Sequence, residues 1–298
     1  MESWLWTQKE DIGPAPRYAS SMVYDSSLKR VVMFAGSDTN YNWLKDTWEW
    51  KENIWTQIAD SGPSLRCFHA MEYDSSRNKV ILFGGAGESG DYLADTWQLE
   101  GTEWTQIEDT GPSARAFHQM AYDTDQKRII LFGGSSYFNG DAQDMGDTWA
   151  WDGTEWTQIA DSGPSPRISH SMTYDSLNHV VVLFGGTHPD KLSDTWIMSN
   201  NVWKKVQDIG PGPRSSSAMV YAETRTILFG GMHSNIDGST WEWNGTNWIQ
   251  RQDMGPSPRV NHSMAYDSER KRVVLFGGSS NQGILGDTWE LKILTTPE

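Results

Sequence analysis

The sequence predicts an all-β fold in which one four-stranded unit is repeated six times around a common axis. Three observations carry that reading. The string Gly-Pro-x-x-Arg recurs with its first proline at Pro14, Pro63, Pro112, Pro164, Pro211 and Pro256, at intervals of 49, 49, 52, 47 and 45 residues. Twelve of the 17 tryptophans occupy two fixed places in that repeat. No segment combines helical periodicity with helix caps, so almost no α-helix is expected. A period of this length marks a stacked or radial array. The 298 residues are then one repeat domain, 1–298, rather than two ordinary ones.

Each element of the unit has its own reason. Asp11, Asp60, Asp109, Asp161, Asp208 and Asp253 stand two residues before the Gly-Pro turns. Past each arginine comes a Met-x-Tyr strand, ending at Tyr24, Tyr73, Tyr122, Tyr174, Tyr221 and Tyr266. In the fourth unit this strand holds Met172–Tyr174, and Asp175 and Ser176 turn the chain. Val180–Phe184 is an unbroken apolar run, as suits a strand buried on both faces. A glycine pair ends it (Gly185-Gly186 here, decayed to Ala35-Gly36 in the first unit), where the backbone needs positive φ or close approach. After a variable segment come a third strand, Thr195–Ile197, behind an Asp-Thr-Trp motif, and a fourth, Trp203–Val206.

The ends fit a closed ring. Trp4–Gln8 reads as a fourth strand without an owner, and Asp287–Leu291 closes a unit that lacks one. Joining them completes six sheets and hides the edges an open array would expose. The Pro-x-Pro-Arg-x-x-His turn, the double glycine and the two spaced tryptophans together resemble the kelch family of β-propellers, over essentially the whole chain. The resemblance implies a six-bladed propeller with four antiparallel strands per blade, closed by the N-terminal strand completing the last blade. It implies little about activity, because function resides in sites grafted on the fold.

Most conspicuous residues read as scaffold. Trp48, Trp97, Trp149, Trp196, Trp241 and Trp289 form one ring and Trp6, Trp55, Trp104, Trp156, Trp203 and Trp248 another, filling the widening gaps between radial sheets. Recurring acids at turns accept backbone N–H bonds. Arg17, Arg66, Arg115, Arg167, Arg214 and Arg259 form a ring that would suit an anion. The structural reading pairs each with the Asp before its own Gly-Pro turn. His69, His118, His170 and His262 point round a ring rather than to one point, so no metal site and no cofactor are expected.

Composition narrows the partners. Lys and Arg total 24 against 39 Asp and Glu, a net charge of −15. That field argues against nucleic acid and anionic membranes. No apolar run approaches the ~18 residues of a membrane span. Cys67 is alone, so neither a disulfide nor a multi-cysteine zinc site is expected. The first residues lack a basic start followed by an apolar stretch. The expected protein is a cytoplasmic monomer, or a secreted one if a signal has been trimmed.

Alternating strand direction puts the Gly-Pro-x-x-Arg links and the variable segments on one rim, with short turns on the other face. Irregular loops on a rigid frame are where binding residues belong. The candidates on the variable segments are Tyr41, Trp43, Glu88, Tyr92, Tyr137, Phe138, His188 and His233. Tyr18, Cys67, Ala116, Ile168, Ser215 and Val260, each just past an arginine, are expected to face the axial mouth. The expected function is a binding module for a protein, peptide or carbohydrate. A second class is a small-molecule enzyme in the central funnel. A sialic acid mutarotase-like site needs an acid such as Asp38, Glu88, Asp91 or Asp190 beside a free arginine. A galactose-oxidase-like copper site needs a Cys–Tyr pair, for which Ala116-Phe117-His118 supplies no tyrosine. Arginines all paired with aspartates would favour binding; a free one facing a carboxylate would favour the enzyme.

Overall fold

The computed structural model describes residues 2–9, 12–108, 110–138, 141–207, 209–252 and 254–295. Among them are strands and turns but no helix, hence no helix long and apolar enough to cross a membrane. Blade I consists of Ser21–Asp25, Arg30–Phe34, Thr47–Lys51 and Ile54–Ala59, hydrogen-bonded antiparallel in that order. Blades II to V repeat the order, with inner strands Ala70–Asp74, Gln119–Asp123, Ser171–Asp175 and Ala218–Ala222. Blade VI holds Ser263–Asp267, Arg272–Phe276, Thr288–Thr295 and, outermost, Glu2–Lys9. That last strand runs antiparallel to Thr288–Thr295, with Trp4 opposite Ile293 and Trp6 opposite Leu291.

The core is divided into wedges between adjacent blades. Between blades II and III, Ile81, Phe83, Met120, Tyr122, Ile129, Leu131, Trp151 and Trp156 pack together. The Asp-Thr-Trp motif explains itself here. Each threonine is buried, and its hydroxyl accepts the indole N–H of the next blade's outer tryptophan. Trp55 donates to Thr288, Trp104 to Thr47, Trp156 to Thr96, Trp203 to Thr148, Trp248 to Thr195 and Trp6 to Thr240, at 2.8–3.1 Å. These bonds run from blade to blade round the whole ring, each contributing about 1 kcal/mol net.

A tighter ring surrounds the axis. Ala19, Phe68, Phe117, Ser169, Ser216 and Asn261 all adopt left-handed backbone, with φ between 52° and 62°. Each N–H donates to the carbonyl of the preceding member at 2.8–3.1 Å, and Ala19 donating to Asn261 closes the circle. Left-handed backbone costs a non-glycine residue about 1–2 kcal/mol. The inter-blade bonds hold it there. The glycine pair serves the same stitching: at Gly134 (φ 95°) a Cβ would lie 2.8 Å from the Ala116 carbonyl, and its N–H donates to the Arg167 carbonyl of the next blade.

Two sequence expectations are refined. The strands read in the fourth unit lie within Ser171–Asp175, Val180–Phe184, Thr195–Ser199 and Val202–Gln207. The variable segments, however, hold short ribbons where irregular loops were expected. Ser135–Phe138 pairs with Asp141–Asp144, and in blade II the second and third strands run on to Gly87 and begin at Tyr92. Two strands already side by side continue pairing beyond the glycine kink.

Candidate functional site

The arginine ring is buried and occupied. Arg17, Arg66, Arg115, Arg167 and Arg259 make bidentate pairs with Asp46, Asp95, Asp147, Asp194 and Asp287 at 2.7–3.0 Å. Arg214 meets Asp237 at 3.4 Å, because blade V carries Ser239 where the other blades have the motif's aspartate. The partners are therefore not the aspartates before the Gly-Pro turns. Asp60 and Asp161 of that set are exposed, and Asp11, Asp109, Asp208 and Asp253 lie outside the described residues. Burial alone would raise the paired carboxyls. The guanidinium and the neighbouring tryptophan N–H more than reverse that, holding all five below the ordinary carboxylate range.

The histidines are buried too. Burial and the adjacent arginines hold them neutral, His118 and His262 at about 3. Three lie edge-on to Phe34, Phe83 and Phe132 of the preceding blades and the fourth, His262, to Phe229, at 5.4–5.5 Å. Among the described residues no three His, Cys, Asp or Glu side chains gather to hold a metal ion.

The residues just past the arginines do not form the mouth. Cys67, Ser215 and Val260 are buried, and Tyr18 and Ile168 half-buried. They bridge to their own blade's variable segment: Tyr18 to Ser37, Cys67 to Ala86, Ile168 to Thr187, Ser215 to Met232 and Val260 to Ser279. Burial pushes the Cys67 thiol up to about 12, which leaves it unreactive. The axis is lined one residue later, by the left-handed ring. Sequence reasoning missed Phe68 and Phe117 because nothing in Arg-x-x-His announces which of the two intervening residues turns inward.

Around those two rings an aromatic arc crosses blades I to III. Phe68 lies 4.2 Å from Phe117 and 6.2 Å from Tyr18; Tyr92 lies 6.4 Å from Phe117 and 4.6 Å from Tyr137. Trp43 joins the same cluster over buried Cys67, Ala86 and Ala116. Tyr137 is 52% exposed, and Tyr41, at the tip of its loop, 72%. Phe138 pairs with Asp141 through its backbone, and its side chain lies outside the description. Burial and the Tyr137 hydroxyl raise the Tyr92 phenol. Acids accompany the arc. Glu88, Asp91 and Asp141 are exposed, and Asp38 accepts the Asn40 and Asn42 N–H groups at 2.8 and 2.9 Å. Lys45 is the one base on the variable segments of blades I to III.

Blades IV to VI differ. His188 bonds Asp144 of blade III at 2.9 Å, exposed His233 offers its carbonyl to Lys191 at 2.7 Å, and among the described residues of these blades' variable segments no aromatic ring pairs with another. Six radial four-stranded blades, stitched through paired arginines and glycine kinks, define a kelch-type β-propeller. A family model for the KLHDC2/KLHL20/DRC7 Kelch-repeats domain matches residues 1–163 and 49–231, and the chain belongs to this kelch-repeat family. No curated protein matches the chain. Kelch propellers serve in general as protein-interaction modules.

Proposed function

We propose that this propeller binds a protein segment bearing basic and apolar side chains, on the rim of blades I to III. The observation that carries the reading is the aromatic arc from Tyr18 and Phe68 through Phe117 and Tyr92 to exposed Tyr137, bordered by Glu88, Asp91 and Asp141. Partly exposed aromatics are the usual anchors of an interface, and complementary charge speeds and orients encounter. A cationic side chain would also find ring faces here. The paired arginine ring speaks for binding over the funnel enzyme, since no arginine of the ring is left to face a substrate.

An array of 12-residue peptides varied in Lys, Arg and aromatic content, run beside a glycan array, tests this. Peptides with both features should bind, and Tyr137→Ala should weaken them at least about tenfold, the range of an interface anchor. Glycans binding while peptides do not, or peptide binding indifferent to Tyr137→Ala, would overturn the proposal.

A further inference from the structure

The opposite face leads into a second compartment. A cavity of about 370 Å³ runs along the axis between the six inner strands. It opens among the exposed turn residues Ser26, Ser75, Thr124 and Ser176. Toward the left-handed ring the space shrinks to about 80 Å³. The middle rung of the wall is the x of Met-x-Tyr: Val23, Thr173, Val220 and Ala265, with Glu72 in blade II. Among the described residues Glu72 is the sole carboxylate of the wall, and no lysine or arginine lines it. The other titratable groups there are His69, His262 and the six Met-x-Tyr tyrosines. The backbone N–H of Tyr122 donates to the Glu72 carboxyl, and among the described residues no ion pair reaches it.

A charged carboxylate among valine and alanine, with a single N–H for company, is costly. Burial pushes Glu72 up to about 8, so at neutral pH it is mostly protonated. A cation seated against it would oppose that shift by favouring the charged carboxylate. The wall decides which cation. Calcium or magnesium asks for six or more oxygen ligands, and this rung offers one carboxylate and one threonine. An alkyl chain suits the valines and alanines, and the volume is that of a small-ligand site.

We propose that the channel binds a slender primary alkylammonium ion entering from the short-turn face, with Glu72 as its counter-ion. On binding, the neutral carboxyl loses its proton to solvent and the carboxylate pairs with the ammonium group. This site is independent of the rim.

Calorimetry with n-butylamine hydrochloride at pH 7, in two buffers of different ionisation enthalpy, tests it. Saturable one-to-one binding with release of most of a proton is expected, unaffected by equimolar KCl and absent for n-butanol. Glu72→Gln keeps an acceptor for the Tyr122 N–H. It should remain folded by circular dichroism yet bind at least about tenfold more weakly, as loss of a charge-assisted contact requires, without proton release. Tyr137→Ala should bind the amine like wild type. No saturable binding at millimolar probe, equal binding by Glu72→Gln, effective competition by potassium or loss in Tyr137→Ala would each overturn the proposal.

Discussion

The two halves of the loop rim stand on one backbone and carry different chemistry. At the axial ring blades I to III present Ala19, Phe68 and Phe117, and blades IV to VI present Ser169, Ser216 and Asn261. All six share the same left-handed φ and the same inter-blade hydrogen bond. Serine is thus sufficient for the frame, and Phe68 and Phe117 answer to something else. The acids follow the same division. Asp38, Glu88, Asp91, Asp141 and Asp144 lie on the variable segments of the first half, while Asp190 and Asp237 are the acids on those of the second, Asp237 being occupied by Arg214. Where the ring repeats, side chains serve the fold; where it diverges, they are free to serve a ligand.

The comparison breaks first if the frame itself is uneven. Asp147→Ala in blade III and Asp194→Ala in blade IV each leave a buried guanidinium unpaired, and each should cost about 3–5 kcal/mol in urea unfolding. Unequal costs, or costs below about 1 kcal/mol, would show that the pairs do not hold the two halves alike. Asp237→Ala, at the longer contact, should cost less than either.

A sharper contrast exchanges ring residues. Phe117→Ser copies what blade IV already tolerates, and should reduce affinity for array-selected basic peptides by about 2 kcal/mol. Ser169→Ala, one blade on, should change affinity by less than about 0.5 kcal/mol. Equal effects would dissolve the distinction between the halves.

Proton linkage separates frame from channel. The five paired aspartates have depressed folded pKa values, so their stabilisation is present above their ordinary value of 3.8 and is lost as pH falls through the folded values. Glu72 has the opposite sign. Its folded value of about 8 exceeds the ordinary 4.5, so wild type should lose stability as pH rises between them. Thermal unfolding of Glu72→Gln from pH 5 to 8 should give a flatter profile than wild type; parallel profiles would place Glu72 in contact with bulk water. The smallest effect concerns salt. Raising ionic strength should weaken peptide binding to the rim modestly, through screening of exposed acids.

Much of this was legible in the sequence. The repeat interval, the Met-x-Tyr strands and the two tryptophan rings are dictated by strand periodicity and wedge packing, which leave regular marks. The arginine partner was misread because the aspartate near in sequence, such as Asp60, is exposed, whereas Asp95, 29 residues away, meets Arg66 across its own blade. The axial ring was placed one residue early at Cys67 because a left-handed residue reverses which side chain faces inward, and Phe68 carries no composition signal for that. The sequence reading passed over Glu72, the one acid at the x of Met-x-Tyr, where the other units have Val23, Ala121, Thr173, Val220 and Ala265. Its meaning needed the channel around it.

The rim assignment meets its most direct test in paired affinities. Twelve-residue peptides selected from a random phage-displayed library against the wild-type propeller would be titrated into Tyr137→Ala and His188→Ala, which alter exposed or half-exposed side chains on adjacent blades. Binding through the aromatic arc predicts at least about a tenfold loss for Tyr137→Ala and little change for His188→Ala. The reverse order, or equal retention by both, would contradict it.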